Sequence, residues 1–143
     1  MGLSLNQIVQ RISNYGAEHA MINHVHFGEM YNWLSSEEAI YPSMFFNVER
    51  ASILERQTKY IFSIYFLDRQ LQETDGLEEM SDMALIAQDI IALFRNNNNE
   101  WIIDNVIPMN FVVEGEPDYL AGVALEVGLT ISNINNRCEV PIQ

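Results

Sequence analysis

Apolar and small or polar residues alternate without interruption over residues 119–132 (Tyr-Leu-Ala-Gly-Val-Ala-Leu-Glu-Val-Gly-Leu-Thr-Ile-Ser). Ala121, Val123, Leu125, Val127, Leu129 and Ile131 form one set, and Gly122, Ala124, Glu126, Gly128, Thr130 and Ser132 the other. Period-two alternation over this length predicts a long β-strand with one core face. The second face is nearly bald. Glycine inside a strand weakens it and marks a bulge or a close approach by another backbone. A flat face of this kind suits covering by another body, a further copy of the chain included.

Patterns elsewhere predict the remaining elements. Leu5, Ile8, Val9, Ile12 and Tyr15 recur at three- and four-residue spacing, so residues 3–16 read as an amphipathic helix, capped by Ser4 and stopped by Gly16. Residues 24–31 alternate weakly and suit a strand, followed by a loop or single helical turn at 32–40. A second strand covers 41–48, with Pro42 tolerated at its start, and the charged stretch 49–56 reads as a solvated turn. Residues 59–68 form a third strand, rich in β-branched and aromatic side chains. Tyr60, Phe62, Ile64 and Phe66 make one side of it, and Ile61, Ser63, Tyr65 and Leu67 the other. Both sides are largely apolar, which predicts a central strand or one covered by a partner.

Beyond a polar connection at 70–76, Met80, Met83, Ala84, Ala87, Ile90, Ile91 and Phe94 form the stripe of a helix over 77–95. Glu78 and Glu79 in its first turn complement the helix dipole, and the asparagines at 96–99 end it. Residues 101–113 read as a fourth strand with a break at Pro108, and 114–118 as a turn. The alternating stretch at 119–132 is the fifth strand, and the tail 133–143 is polar. The order is helix, three strands, helix, two strands. It predicts one α+β domain over residues 1–143: a two-layer fold with a mostly antiparallel sheet of about five strands and both helices on one face.

The 143-residue length suits a single core, and a mean hydropathy of −0.04 with 48% apolar residues fits a globular chain. The formal charge is −13, from 20 acids against seven lysines and arginines. That balance disfavours attraction to nucleic-acid phosphate or to an anionic membrane. It suits a solvated acidic surface, and also a surface that DNA passes without sticking. No apolar run reaches membrane-spanning length, and the N-terminus shows neither a secretory signal nor the Ser or Thr of a myristoylation signal. Synthesis in the cytosol is expected.

Candidate chemistry is sparse. His24 and His26, with His19 and Glu29 nearby, form a His-x-His arrangement that two residues on one strand face would present to zinc or iron; a surface or interface role is the plainer reading. Glu114, Glu116 and Asp118 lack calcium-loop spacing and read as a solvated turn. Cys138 is the single cysteine, which rules out an internal disulfide, and it reads as a packed apolar residue. Neither phosphate-binding glycine motifs nor a nucleophile elbow occur. The aromatics of the third strand lack interleaved basic residues beyond Lys59 and Arg69, so they read as core and not as a nucleic-acid platform. No cofactor and no catalytic centre is expected.

Over nearly its whole length the chain resembles the tail-terminator and neck proteins of tailed bacteriophages. The resemblance lies in the element order, with the second strand beginning Ile40-Tyr41-Pro42 and the third ending Leu67-Asp68-Arg69. The long helix runs from Ser81 to Phe94, and the closing segment pairs residues 118–123 with residues 138–141. The resemblance implies a structural, non-enzymatic role in the virion. It implies a homo-oligomeric ring, hexameric or dodecameric, joined to neighbouring neck or tail-tube proteins, with sheets lining a channel through which DNA passes without specific binding. Gly122, Ala124 and Gly128 on the bald face, with Ile61, Tyr65 and Leu67 on the third strand, are the expected subunit interface. Two rival classes stay open: a small metal-binding module or enzyme using His24 and His26, and an acidic host-directed inhibitor.

Overall fold

The computed structural model describes residues 3–29, 40–70, 76–96, 100–114 and 120–132. In chain order the elements are α1 (Leu5–Glu18), β1 (His24–Phe27), β2 (Ser43–Leu54), β3 (Gln57–Arg69), α2 (Leu77–Arg95), β4 (Ile102–Ile103), β5 (Met109–Glu114) and β6 (Leu120–Ser132). The strands make one sheet in the order β1-β2-β3-β6, with β4 and β5 sharing the far edge of β6. Only β1 and β2 run parallel; the other pairs are antiparallel. This is the expected α+β arrangement.

Strand alternation decides which residues meet the helices. Phe62 lies opposite Val48 and Val127, Ile64 opposite Phe46 and Leu125, and Phe66 opposite Met44 and Val123. These residues share one face of the sheet. They join Ile8 and Ile12 of α1 and Met83, Ala87, Ile90 and Phe94 of α2 in a single buried cluster. Both helices therefore cover the same face. Burial of an aliphatic side chain such as Ile8 or Ile12, each with no exposed surface, contributes about 1.5–3 kcal/mol. No described helix is long and apolar enough to cross a membrane.

The helix ends follow local chemistry. Ser4 accepts the Gln7 backbone N–H at 3.2 Å while the Gln7 side chain accepts the Ser4 N–H at 2.9 Å, a reciprocal capping box. Gly16 does not stop α1, which continues to Glu18. It is buried inside the helix, and a Cβ there would lie 2.7 Å from Met44 Sδ and 2.8 Å from Val25. Its lack of a side chain lets α1 sit close on β1 and β2. At the other end of the helical layer, Trp101 Nε1 donates to the Phe94 carbonyl at 2.8 Å, satisfying one of the last carbonyls of α2.

Three boundaries differ from the sequence expectation. β1 ends at Phe27, and the next residue, Gly28, has φ +118°. The stretch 49–56 is not a solvated turn: β2 continues to Leu54, and β3 starts at Gln57 after a two-residue turn in which Arg56 has φ +63°. Val48 faces Phe62 while Arg50 faces Ile61, so Glu49 is the extra residue of a bulge, beyond which pairing resumes. The charges in this stretch are solvated because β2 is an edge strand there, not because the chain has left the sheet. The fourth strand breaks at Pro108 as expected, although the break spans residues 104–108, which lie opposite only 126–128 of β6. Among the described residues the sheet is thus five strands wide with six strands.

Candidate functional site

The helix-free face carries the six residues expected at a subunit interface, and they divide into two groups. Gly122 and Leu67 are directly paired and buried within the chain. A Cβ on Gly122 would run into the Phe66 carbonyl, with Leu67 Cα at 3.0 Å, so this glycine serves the close approach of β3 to β6. Leu67 packs with Phe45 and Leu120 in a small second core on this face, flanked by Tyr41 and Tyr65. Gly128 is also buried: a Cβ there would lie 2.7 Å from Lys59 Cε and against the Asp104 carboxylate. These two side chains form an ion pair at 3.1 Å, and the Asp104 N–H donates to the Gly128 carbonyl at 3.0 Å. Ile61, Tyr65 and Ala124 are half-buried and retain surface.

On the helix-free face Arg50 pairs with Glu126 at 3.2 Å and Lys59 with Asp104, so the charges compensate. In the helical layer, α2 sets Glu78, Glu79, Asp82 and Asp89 against Arg95 alone. Glu78, Asp82 and Asp89 recur at four- and seven-residue spacing along α2 and share one side of it. Glu78, Glu79 and Asp82 also line a cleft of about 570 Å³ with Ile40, Tyr41, Asp68 and Arg69. Burial pushes the Asp68 carboxyl above the usual carboxylate range, and Glu79 and Asp82 push it further; the Arg69 backbone N–H, which donates to it at 2.8 Å, pulls the other way.

This arrangement has a pH signature. A carboxyl with a raised folded-state pKa binds more protons in the native than in the unfolded chain, so its favourable contribution is present at low pH and disappears as pH rises through the shifted range. At neutral pH the charged Asp68 is a cost. Asp68→Asn keeps an acceptor for the Arg69 N–H, so it is expected to raise the unfolding midpoint at pH 7 and to give no gain near pH 3. Thermal melts at the two pH values check this; equal effects at both would show that the charge is not the cause.

The histidines do not converge. His24 and His26 share the helix-free face of β1, as the spacing predicts, and burial followed by the neighbouring His26 holds His24 below the ordinary imidazole value. His26 Nε2 lies 3.3 Å from the Glu29 carbonyl. His19 belongs to the helical layer, where Nδ1 accepts the Met21 N–H at 3.1 Å and Nε2 lies 3.0 Å from Asp89. It ties the end of α1 to α2. Among the described residues no group of three or more His, Cys, Asp or Glu side chains is placed to hold a metal ion. Glu116, Asp118 and Cys138 lie outside the described residues, as does the Glu114 side chain.

The sheet edges present surfaces that hydrophobic patterning alone did not single out. Ile53 and Leu54 are exposed at the tip of the β2–β3 hairpin, and Ile102, Val106, Phe111 and Val113 along the opposite edge. The segment 109–114 has the composition of a buried strand but lies at the rim, where Met109 packs against the main core and Phe111 and Val113 stay exposed. Comparison with protein-family models gives no match, and comparison with curated proteins gives none.

Proposed function

We propose that this chain is a structural component of a bacteriophage virion, a ring-forming tail-terminator or neck protein through which DNA passes without being bound. The reading rests on the resemblance in element order, and the observation that carries it is the distribution of charge. The net charge is −13, and α2 sets Glu78, Glu79, Asp82 and Asp89 against Arg95 alone, the first three of them lining one cleft with Asp68. Phosphate is repelled by such a surface, and a channel wall of this kind lets a duplex slide. The acidic side of α2 is therefore the side proposed to face DNA, in place of the sheet suggested by the resemblance. The virion is the proposed location, with synthesis in the host cytoplasm, and neighbouring neck or tail-tube proteins are the proposed partners.

Light scattering on the purified protein, with electron microscopy of the particles, tests this reading. The expected result is a closed oligomer of defined mass, visible as a ring and found at the head–tail junction or tail end. A monomer at every concentration, with no copies in virions, would overturn it. The acidic side of α2 also favours a second reading, a host-directed inhibitor presenting negative charge to a basic protein. Recovery of one stoichiometric basic host partner, with no copies in virions, would decide for that reading.

A further inference from the structure

Both edges of the sheet are open among the described residues. β1 pairs with β2 only from Ser43 to Phe46, which leaves the outer edge of β2 from Arg50 to Leu54 without a strand partner. The outer edge of β5 has none along its length. Open edges are hazards that proteins usually blunt with proline, lysine or bulges. Met-Asn-Phe-Val-Val-Glu in β5 contains none of these, and Phe111 and Val113 are 61% and 52% exposed. Ile53 on the other edge is 89% exposed.

The two edges match in hydrogen-bonding direction. The Pro108 carbonyl accepts the Glu126 N–H at 3.3 Å, so it points at β6. By strand alternation Asn110 and Val112 also turn their backbone groups toward β6, while Phe111 and Val113 turn theirs outward. Leu54 and Gln57 close the two-residue turn and face each other across the hairpin, which leaves Ala51 and Ile53 turned outward from β2. They also match in face. Ala51 lies opposite Tyr60, and Ile53 opposite Thr58, on the helix-bearing side; Phe111 and Val113, opposite Val123 and Ala121, lie on that side too.

We propose that copies of this chain associate by antiparallel β-pairing of the outer edge of β2 in one copy with the outer edge of β5 in the next, Ile53 opposite Phe111 and Ala51 opposite Val113. This single register puts outward-turned residues opposite one another, keeps the helix-bearing faces continuous, and forms an aromatic–β-branched pair. It also sets Arg50 level with position 114 of the next copy. β6 is parallel to β2 and β5 antiparallel to it, so neighbouring copies related by rotation about an axis along the strands meet in the required antiparallel sense. The contact uses different edges of each copy. It is heterologous, and it closes into a ring or continues as a helix according to the rotation between copies. Arg50 is level with Ile61 of β3 and position 114 with Arg69, so successive copies are offset by about eight residues, roughly 26 Å along the strands. Strand tilt accommodates such an offset in closed barrels. The proposal rests on the ring reading in taking a further copy as the partner.

Cysteine crosslinking of the full chain tests it. In a Cys138→Ser background, Ile53→Cys and Phe111→Cys are combined; three strand spacings separate them within one copy, so oxidation can link them only between copies. A hydrogen-bonded antiparallel pair has a Cα separation of about 5.5 Å, within disulfide reach. The expected result is a ladder of dimers and larger species on oxidation, with no ladder when Ile53→Cys is combined with Leu85→Cys on exposed α2. Phe111→Lys is expected to dissociate the oligomer and leave the unfolding midpoint in place, since Phe111 is exposed in the single copy. A defined oligomer that gives no ladder and survives Phe111→Lys would overturn the edge pairing and leave the ring reading standing. A monomer at all concentrations would overturn both, and an equal ladder from the Leu85→Cys control would overturn the assigned register.

Discussion

Gly122→Val is expected to destabilise the protein by about 3 kcal/mol or more, at the upper end of what overpacking costs. The reason is what the added atoms would meet. A Cβ at Gly122 runs into the carbonyl of Phe66, directly across the β3–β6 ladder, and neither strand can move aside. Phe66 and Val123, the neighbouring pair, are fully buried beneath the helices. Shifting the backbone would therefore disturb the main core as well as the sheet. Gly128→Ala supplies the control on the same strand. There the atoms in the way are the Lys59 stem and the Asp104 carboxylate, both half-exposed, and both can swing out. The expected loss is that of a surface ion pair, about 0–1 kcal/mol, plus a share for rearrangement. Urea denaturation of both variants checks the contrast, and equal midpoints would show that β3 and β6 do not approach as closely at Gly122 as the structure has them.

Phe94→Ala is the second large effect, with an expected cost of about 3–5 kcal/mol, the usual range for a buried aromatic truncated to alanine. Phe94 has no exposed surface, and its ring lies 5.4 Å from Tyr15 and 5.7 Å from Trp101. Tyr15 and Trp101 themselves meet edge-on at 6.1 Å. The three rings join α1, the end of α2 and the approach to β4, so a cavity at Phe94 loosens all three at once. Trp101→Phe is expected to cost less. It removes the Nε1–H donor to the Phe94 carbonyl, a hydrogen bond contributing about 0.5–1.5 kcal/mol, while keeping an aromatic ring in place. Thermal melts ranking Phe94→Ala below Trp101→Phe would agree with this account; the reverse ranking would make the helix-end hydrogen bond the stronger element.

Much of the fold was legible because burial imposes a period. β6, β3 and α2 showed their apolar sets plainly, at two-residue spacing in the strands and at three and four in the helix, and each set proved to face the shared core. β3 is central in the sheet, as its two apolar sides predict, yet only one side meets the helices; on the other, Leu67 is buried in the small second core while Ile61 and Tyr65 keep surface. Edge elements were harder to read. Glu49 and Arg50 look like turn residues because an edge strand may hold charges wherever one side meets water, and a bulge at Glu49 further breaks the alternation; of that stretch only Glu55 and Arg56 form the turn. Gly16 matched a helix stop in composition, yet it sits within α1 because of what packs against it.

The candidate surfaces were less legible than the fold. Small side chains on the bald face of β6 were visible along the chain, but their cause was not. Gly122 answers to a neighbouring strand, and Gly128 to an ion pair between residues 45 positions apart in sequence. His19 and His24 lie five residues apart and are sorted into different layers, one against Asp89 and the other on the sheet. The open edges of β2 and β5 depend on which strands stop short, and that depends on pairing across the whole sheet. Composition, acidity, helix and strand periods and the two-layer class are properties of local pattern, and the sequence by itself determined them. Register, which charges pair across the fold, and the identity of the uncovered edges were decided only by tertiary structure, because each arises from contacts between residues distant along the chain.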